Sequence, residues 1–134
     1  MSTSSFGRQQ ILLVDDEEDA LSELAESIGN EGFVCYTASS VTFALQELTL
    51  HPDIALVITD LRMPEESGIS LIKRLREHTS RSHLPVIVMS GHADMDDVSD
   101  LLRLQVLEKP IYLVRLIDTL NSLFPLSNSP DTPV

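Results

Sequence analysis

Four short apolar runs, each closed by a polar or charged residue, constrain this chain more than any other feature in it. Ile11-Leu12-Leu13-Val14 is closed by Asp15-Asp16, and Ile54-Ala55-Leu56-Val57-Ile58-Thr59 by Asp60. Val86-Ile87-Val88-Met89 is closed by Ser90, and a shorter run around Val106-Leu107 by Lys109-Pro110. A strand that is apolar throughout is buried on both faces, which happens in a parallel sheet covered by helices. Ligands of such sheets sit outside the carboxyl ends of the strands. Taken singly, each run ending has an ordinary reading: an acidic helix start, a cap aspartate, a turn serine, a solvated lysine. Together, in chain order at strand ends, they point to one site.

Helix-periodic segments fill the gaps. The segment from Glu17 to Gly29 places Ala20, Leu21, Leu24, Ala25 and Ile28 on one face, the spacing of an amphipathic helix. Its first turn is acidic, which suits the positive end of the helix dipole. A second strand is expected at Phe33 to Thr37, then a helix capped by Ser39 or Ser40 that stops before Pro52. Ser67 or Gly68 opens a third helix with Ile69, Leu71, Ile72 and Leu75. The fourth helix is expected from Asp94 to Arg103. The last spans Tyr112 to Phe124, with Leu113, Leu116, Ile117 and Leu120 turned inward. A βα unit repeated five times gives an α/β fold with a parallel sheet. The expected domain is residues 10–124. Residues 1–9 read as a flexible N-terminal arm and residues 125–134 as a flexible tail or linker stub.

Bulk properties narrow the function classes. The chain has 134 residues, enough for one domain with one core. It carries 21 acidic against nine basic residues, a formal net charge of −12. That balance opposes direct nucleic-acid binding and binding to anionic membranes. A single cysteine, Cys35, excludes an intramolecular disulfide and fits a reducing compartment. No apolar run approaches the roughly 20 residues of a membrane span. A soluble, cytoplasmic protein is the expectation.

The strand ends carry a definite chemistry. Adjacent carboxylates repel, and one of them resists ionisation unless a cation is present. Asp60, brought in from another strand, deepens the problem. A hard divalent cation such as Mg²⁺ relieves it with oxygen ligands and also bridges to phosphate oxygens. Lys109 adds an ammonium and Ser90 a hydroxyl. Cation, ammonium and hydroxyl around a carboxylate meet the needs of phosphoryl transfer to an aspartate.

With those residues in view, the chain resembles the receiver domain of two-component response regulators. The resemblance rests on ILLVDDEED (Ile11 to Asp19), LVITDLRMPEESG (Leu56 to Gly68), VIVMSGHAD (Val86 to Asp94) and LEKP (Leu107 to Pro110), and extends over about Gln10 to Phe124. It implies a flavodoxin-like (βα)5 doubly wound parallel sheet with strand order 2-1-3-4-5. It also implies a bacterial, Mg²⁺-dependent phosphoprotein. Asp60 is then the phosphoacceptor, with Asp15, Asp16, Asp60 and the backbone carbonyl of Arg62 forming the metal site. Ser90, Gly91 and Lys109 are the switch and phosphoryl-binding positions, and the bond before Pro110 is cis. Gly68 lets the loop after Asp60 turn. Arg62 and His92 occupy positions that modulate dephosphorylation. The implied partners are a sensor histidine kinase or histidine phosphotransfer protein, and a downstream effector or fused output domain.

Three departures from that pattern concern the signalling face. Val106 stands where the family usually carries an aromatic switch residue, so it is an atypical switch position. The stretch from Ser90 to Lys109 is three residues shorter than the usual spacing, about one helical turn. The usual Gly-Ala before the fifth strand is replaced around Leu102 to Leu104. The expectation is that Gly91 to Leu104 carries the response to phosphorylation. The alternative reading is a phosphorylation-independent interaction module with a receiver fold. An aspartyl phosphohydrolase wants a second carboxylate two residues after the nucleophile, where this chain has Arg62. A flavin carrier would find its phosphate repelled by Asp15-Asp16-Glu17-Glu18.

Overall fold

A computed structural model describes residues 9–63, 66–78, 81–91 and 104–124. Five strands form one sheet: β1 (Gln10–Val14), β2 (Val34–Ala38), β3 (Ile54–Asp60), β4 (Val86–Ser90) and β5 (Leu104–Glu108). Every pairing is parallel, and the order is β2-β1-β3-β4-β5. The described helices are α1 (Glu18–Asn30), α2 (Val41–Leu50), α3 (Gly68–Glu77) and α4 (Leu113–Leu123). The helix expected at Asp94 to Arg103, with His92, lies outside the described residues. So do residues 1–8 of the expected arm and the tail from residue 125.

Side chains alternate between the two faces of the strands, and each face has its own core. Leu12, Val14, Val57, Val86 and Val88 pack with Leu48 of α2 and with Leu71, Ile72 and Leu75 of α3. Ile11, Leu13, Leu56, Ile58, Ile87 and Met89 pack with Leu21 and Ile28 of α1 and with Leu116 and Leu120 of α4. Most of these side chains are fully buried, and each aliphatic one contributes about 1.5–3 kcal/mol of transfer free energy. Consecutive apolar residues on β1, β3 and β4 are therefore required by helices on both faces.

Local chemistry sets the element ends. The Ser40 hydroxyl accepts the Phe43 amide at 3.1 Å and caps α2. Ser67 caps α3 in the same way, with the Ser70 amide at 3.4 Å. After α1 the chain turns at Gly32, whose φ of 103° falls in the left-handed region that favours glycine.

Two expectations about burial are corrected. Leu113 was expected to face inward but is 43% exposed. It opens the first turn of α4, where it lines a groove with Lys109 and Pro110. β5 was expected to be a buried strand, yet its residues are half-buried or exposed and none is buried. It is the last strand of the sheet order and pairs only with β4 among the described strands.

Candidate functional site

The chain runs from β2 across β1 to β3, so the strand order reverses between β1 and β3. A crevice opens at their carboxyl ends. Register brings the acidic residues level there: Val14 pairs with Thr59, so Asp15 and Asp60 follow directly from paired residues. Asp15, Asp16 and Asp60 each place a carboxylate oxygen within 4.8 Å of the others. Asp15 and Asp60 are 5% exposed, which makes their charges costly unless compensated.

The compensation is visible around each carboxylate. Asp60 Oδ2 meets Lys109 Nζ at 3.0 Å, and the Arg62 amide donates to Asp60 Oδ1 at 3.3 Å. The Glu17 amide donates to Asp15 Oδ1 at 3.0 Å. Burial nevertheless pushes the Asp15 carboxyl above its ordinary pKa. The Asp60 and Asp16 charges push the same way, against the Glu17 amide and Lys109. Among the described residues the cluster sets three carboxylates beside the Lys109 ammonium, an excess of negative charge that a divalent cation would balance.

Lys109 reaches Asp60 from the turn after β5. Its amide donates to the Ser90 carbonyl at 2.8 Å, continuing the β4–β5 ladder past the strand end. The Lys109–Pro110 peptide is cis. Ser90 is 1% exposed at the end of β4, and its hydroxyl donates to the Gly91 carbonyl at 2.8 Å. Its side chain is thus engaged locally rather than with Asp60. Val106 lies mid-strand on β5 opposite Val88 and packs against the core on the α2/α3 face. The Arg62 side chain is exposed.

The loop after β3 is closed by contact with Gly68. The Gly68 amide donates to the Leu61 carbonyl at 2.9 Å. A Cβ at Gly68 would collide with the Asp60 carbonyl oxygen and lie 3.1 Å from Leu61 Cα. Both are backbone atoms of the site strand, so no flexible side chain can yield. Gly68→Ala should lower unfolding stability by about 1–3 kcal/mol, the usual cost of overpacking. Urea denaturation checks this, and an unchanged midpoint would refute the close approach.

Two features were not anticipated from sequence. Glu66 accepts hydrogen bonds from Ser70 and Arg74 at the start of α3, fastening the far end of the loop. Thr59, fully buried, turns its hydroxyl to the Asp60 carbonyl oxygen at 2.9 Å. A lone hydroxyl inside an otherwise apolar run was the available signal for the second.

Comparison with known proteins agrees with this geometry. The family described as the response regulator receiver domain matches residues 11–121. The regulatory protein AtoC of Escherichia coli is 36% identical over 95 residues, covering 70% of this chain and 20% of AtoC. The two-component response regulator PprB of Pseudomonas aeruginosa is 31% identical over 117 residues, covering 84% of this chain and 42% of PprB. The chain therefore spans less than half the length of either relative. Among solved structures, a response regulator receiver protein from Pseudomonas putida superposes with a TM-score of 0.80 at 33% identity. That match covers 87% of this chain and 98% of the other. A receiver domain protein from Clostridium thermocellum gives 0.79 at 29% identity, covering 87% and 94%. Sheet order, strand-end chemistry and these matches agree: the chain belongs to the family of response regulator receiver domains of two-component signalling.

Proposed function

We propose that this receiver accepts a phosphoryl group on Asp60 from a phosphohistidine of a sensor kinase or phosphotransfer protein, with Mg²⁺ as cofactor. The observation that carries the reading is the Lys109–Asp60 ion pair at 3.0 Å beside the three clustered carboxylates. The carboxylates fit a hard cation, since they offer oxygen ligands and a charge deficit that one divalent ion balances. Asp15, Asp16, Asp60 and the Arg62 carbonyl would hold it. When bound, Mg²⁺ neutralises the oxygens of the incoming phosphoryl group.

The chain's own residues do the rest. A carboxylate oxygen of Asp60 attacks phosphorus in line. The P–N bond to the donor imidazole breaks as the new P–O bond forms, leaving an acyl phosphate. Lys109 moves from the carboxylate to a phosphoryl oxygen. The Ser90 hydroxyl exchanges the Gly91 carbonyl for a phosphoryl oxygen, a local rotation with a signalling consequence. The only covalent chemistry in this reading is the domain's own phosphorylation and dephosphorylation.

The donor has a place to dock. A groove of about 540 Å³ runs between α1 and the turn into α4 and reaches Asp15 and Lys109. Ala20, Leu24, Met89, Pro110 and Ile111 supply its apolar lining, and Glu17 and Glu23 its acidic edge. An amphipathic helix with a basic flank suits that surface. No helix among the described residues is long and apolar enough to cross a membrane, and a donor in the cytoplasm fits the reading.

The direct test is a titration with beryllofluoride and Mg²⁺ followed by NMR. Amides around Asp60, Ser90 and Lys109 should shift to a saturable new set only when both are present. A spectrum unchanged by the pair would refute the reading and favour an interaction module that ignores phosphorylation.

A further inference from the structure

We propose that the buried hydroxyl of Thr59 is a positioning group for cation binding and phosphoryl acceptance, a role that rests on the reading above. Residues 60–62 must present three things in fixed relation: the Asp60 carboxylate, the Arg62 amide and the Arg62 carbonyl. Two consecutive peptide planes lie between Asp60 and Arg62, and both are pinned. In the first, the Leu61 amide donates to the Met89 carbonyl at 3.0 Å, and the Asp60 carbonyl accepts the Thr59 hydroxyl at 2.9 Å. In the second, the Leu61 carbonyl accepts the Gly68 amide at 2.9 Å, and the Arg62 amide reaches back to Asp60 Oδ1 at 3.3 Å.

Of these four anchors, the Thr59 hydroxyl and the Asp60 carboxylate are the side-chain atoms. The carboxylate is the reacting group itself and must change partners during transfer. The Thr59 hydroxyl does not react, so it holds the first plane while the carboxylate is being used. Its burial matters, because a fully buried hydroxyl has no water to exchange with. Gly68 packs against the same two atoms: a Cβ there would lie 3.2 Å from Thr59 Oγ1 and collide with the Asp60 oxygen. Hydroxyl, carbonyl and glycine therefore form one packed unit at the base of the loop. Without the hydroxyl the Asp60–Leu61 plane is freer to rock, and the Arg62 carbonyl moves with it. Positioning errors well below an ångström are enough to weaken such a site.

Thr59→Val removes the hydroxyl at nearly constant shape, and Thr59→Ser keeps it. The experiment measures Mg²⁺ affinity by NMR titration, and then the rate of phosphorylation by acetyl phosphate at subsaturating Mg²⁺. The Mg²⁺ Kd of Thr59→Val should rise about three- to tenfold, as for loss of one buried hydrogen bond, with a matching fall in rate. Thr59→Ser should restore both. A general packing role would instead shift Tm in both variants and leave the Kd unchanged. If the valine variant fails to fold, Thr59→Ala against Thr59→Ser isolates the hydroxyl, since both lack the methyl. An unchanged Kd across either comparison overturns the inference while the receiver reading stands. A wild-type protein that binds no Mg²⁺ overturns both.

Discussion

Replacing Asp60 with asparagine is expected to abolish covalent phosphorylation of this chain outright. A carboxamide is a poor nucleophile, and among the described residues Asp60 is the carboxylate held against Lys109, at 3.0 Å. Asp15 lies in the same cluster, but its oxygen is engaged by the Glu17 amide and its charge is disfavoured by burial. After treatment with acetyl phosphate and Mg²⁺, intact-mass spectrometry should show one added phosphoryl group on the wild type and none on Asp60→Asn. The fold should survive, because the change removes one of three crowded like charges and Lys109 has solvent access. Lys109→Ala is the informative companion. It leaves the nucleophile in place but deprives the phosphoryl oxygens of a charged donor, a loss of about 1.5–3 kcal/mol for a charge-assisted hydrogen bond, or roughly 10- to 150-fold in rate. Labelling that persists in Asp60→Asn would sink the assignment of the acceptor.

The sheet was legible because its signal is physical and redundant. Runs of apolar residues on β1, β3 and β4 are what two helical layers demand, and all three are buried as expected. The acidic site was legible because a parallel sheet gathers strand ends, so residues far apart in sequence arrive together. The miss at β5 has the same origin. An apolar run reports the chance of burial, but the position of the strand decides how much of it is covered, and β5 ends the described sheet order.

Rotamers were not legible. Ser90 was placed at the right strand end, yet its hydroxyl bonds the adjacent Gly91 carbonyl. Thr59 read as one more strand residue, although its hydroxyl donates to the carbonyl of Asp60. Both have local partners that depend on χ1 and on the path of the following loop, and neither follows from spacing. Leu113 shows the same limit for helices. Its spacing matched the inward face, but at the first turn of α4 it is 43% exposed and lines an open groove with Leu24 of α1.

Mg²⁺ should stabilise the wild-type protein strongly, and Asp16→Asn should erase most of that response. Three carboxylate oxygens lie within 4.8 Å of one another. Burial, Asp60 and Asp16 together hold the Asp15 carboxyl above its ordinary pKa. That is a folded-state cost, since the unfolded chain spreads and hydrates the same charges. A cation that binds only the folded state stabilises it by mass action, about 1.4 kcal/mol at ten times its Kd. For a domain of this size that is a rise in Tm of roughly 4–8 °C. Asp16→Asn acts on both sides of the balance. It removes a charged ligand, so the Mg²⁺ increment should fall to a small fraction of the wild-type value. It also removes a repulsive charge, so in EDTA the variant should melt at or above the wild-type temperature. The crossing of the two effects is the diagnostic, because a merely damaged fold would be less stable with and without metal. Thermal unfolding of both proteins in EDTA and in millimolar Mg²⁺ decides the matter. An equal increment in Asp16→Asn, or a wild type indifferent to the metal, would remove the cation from this site.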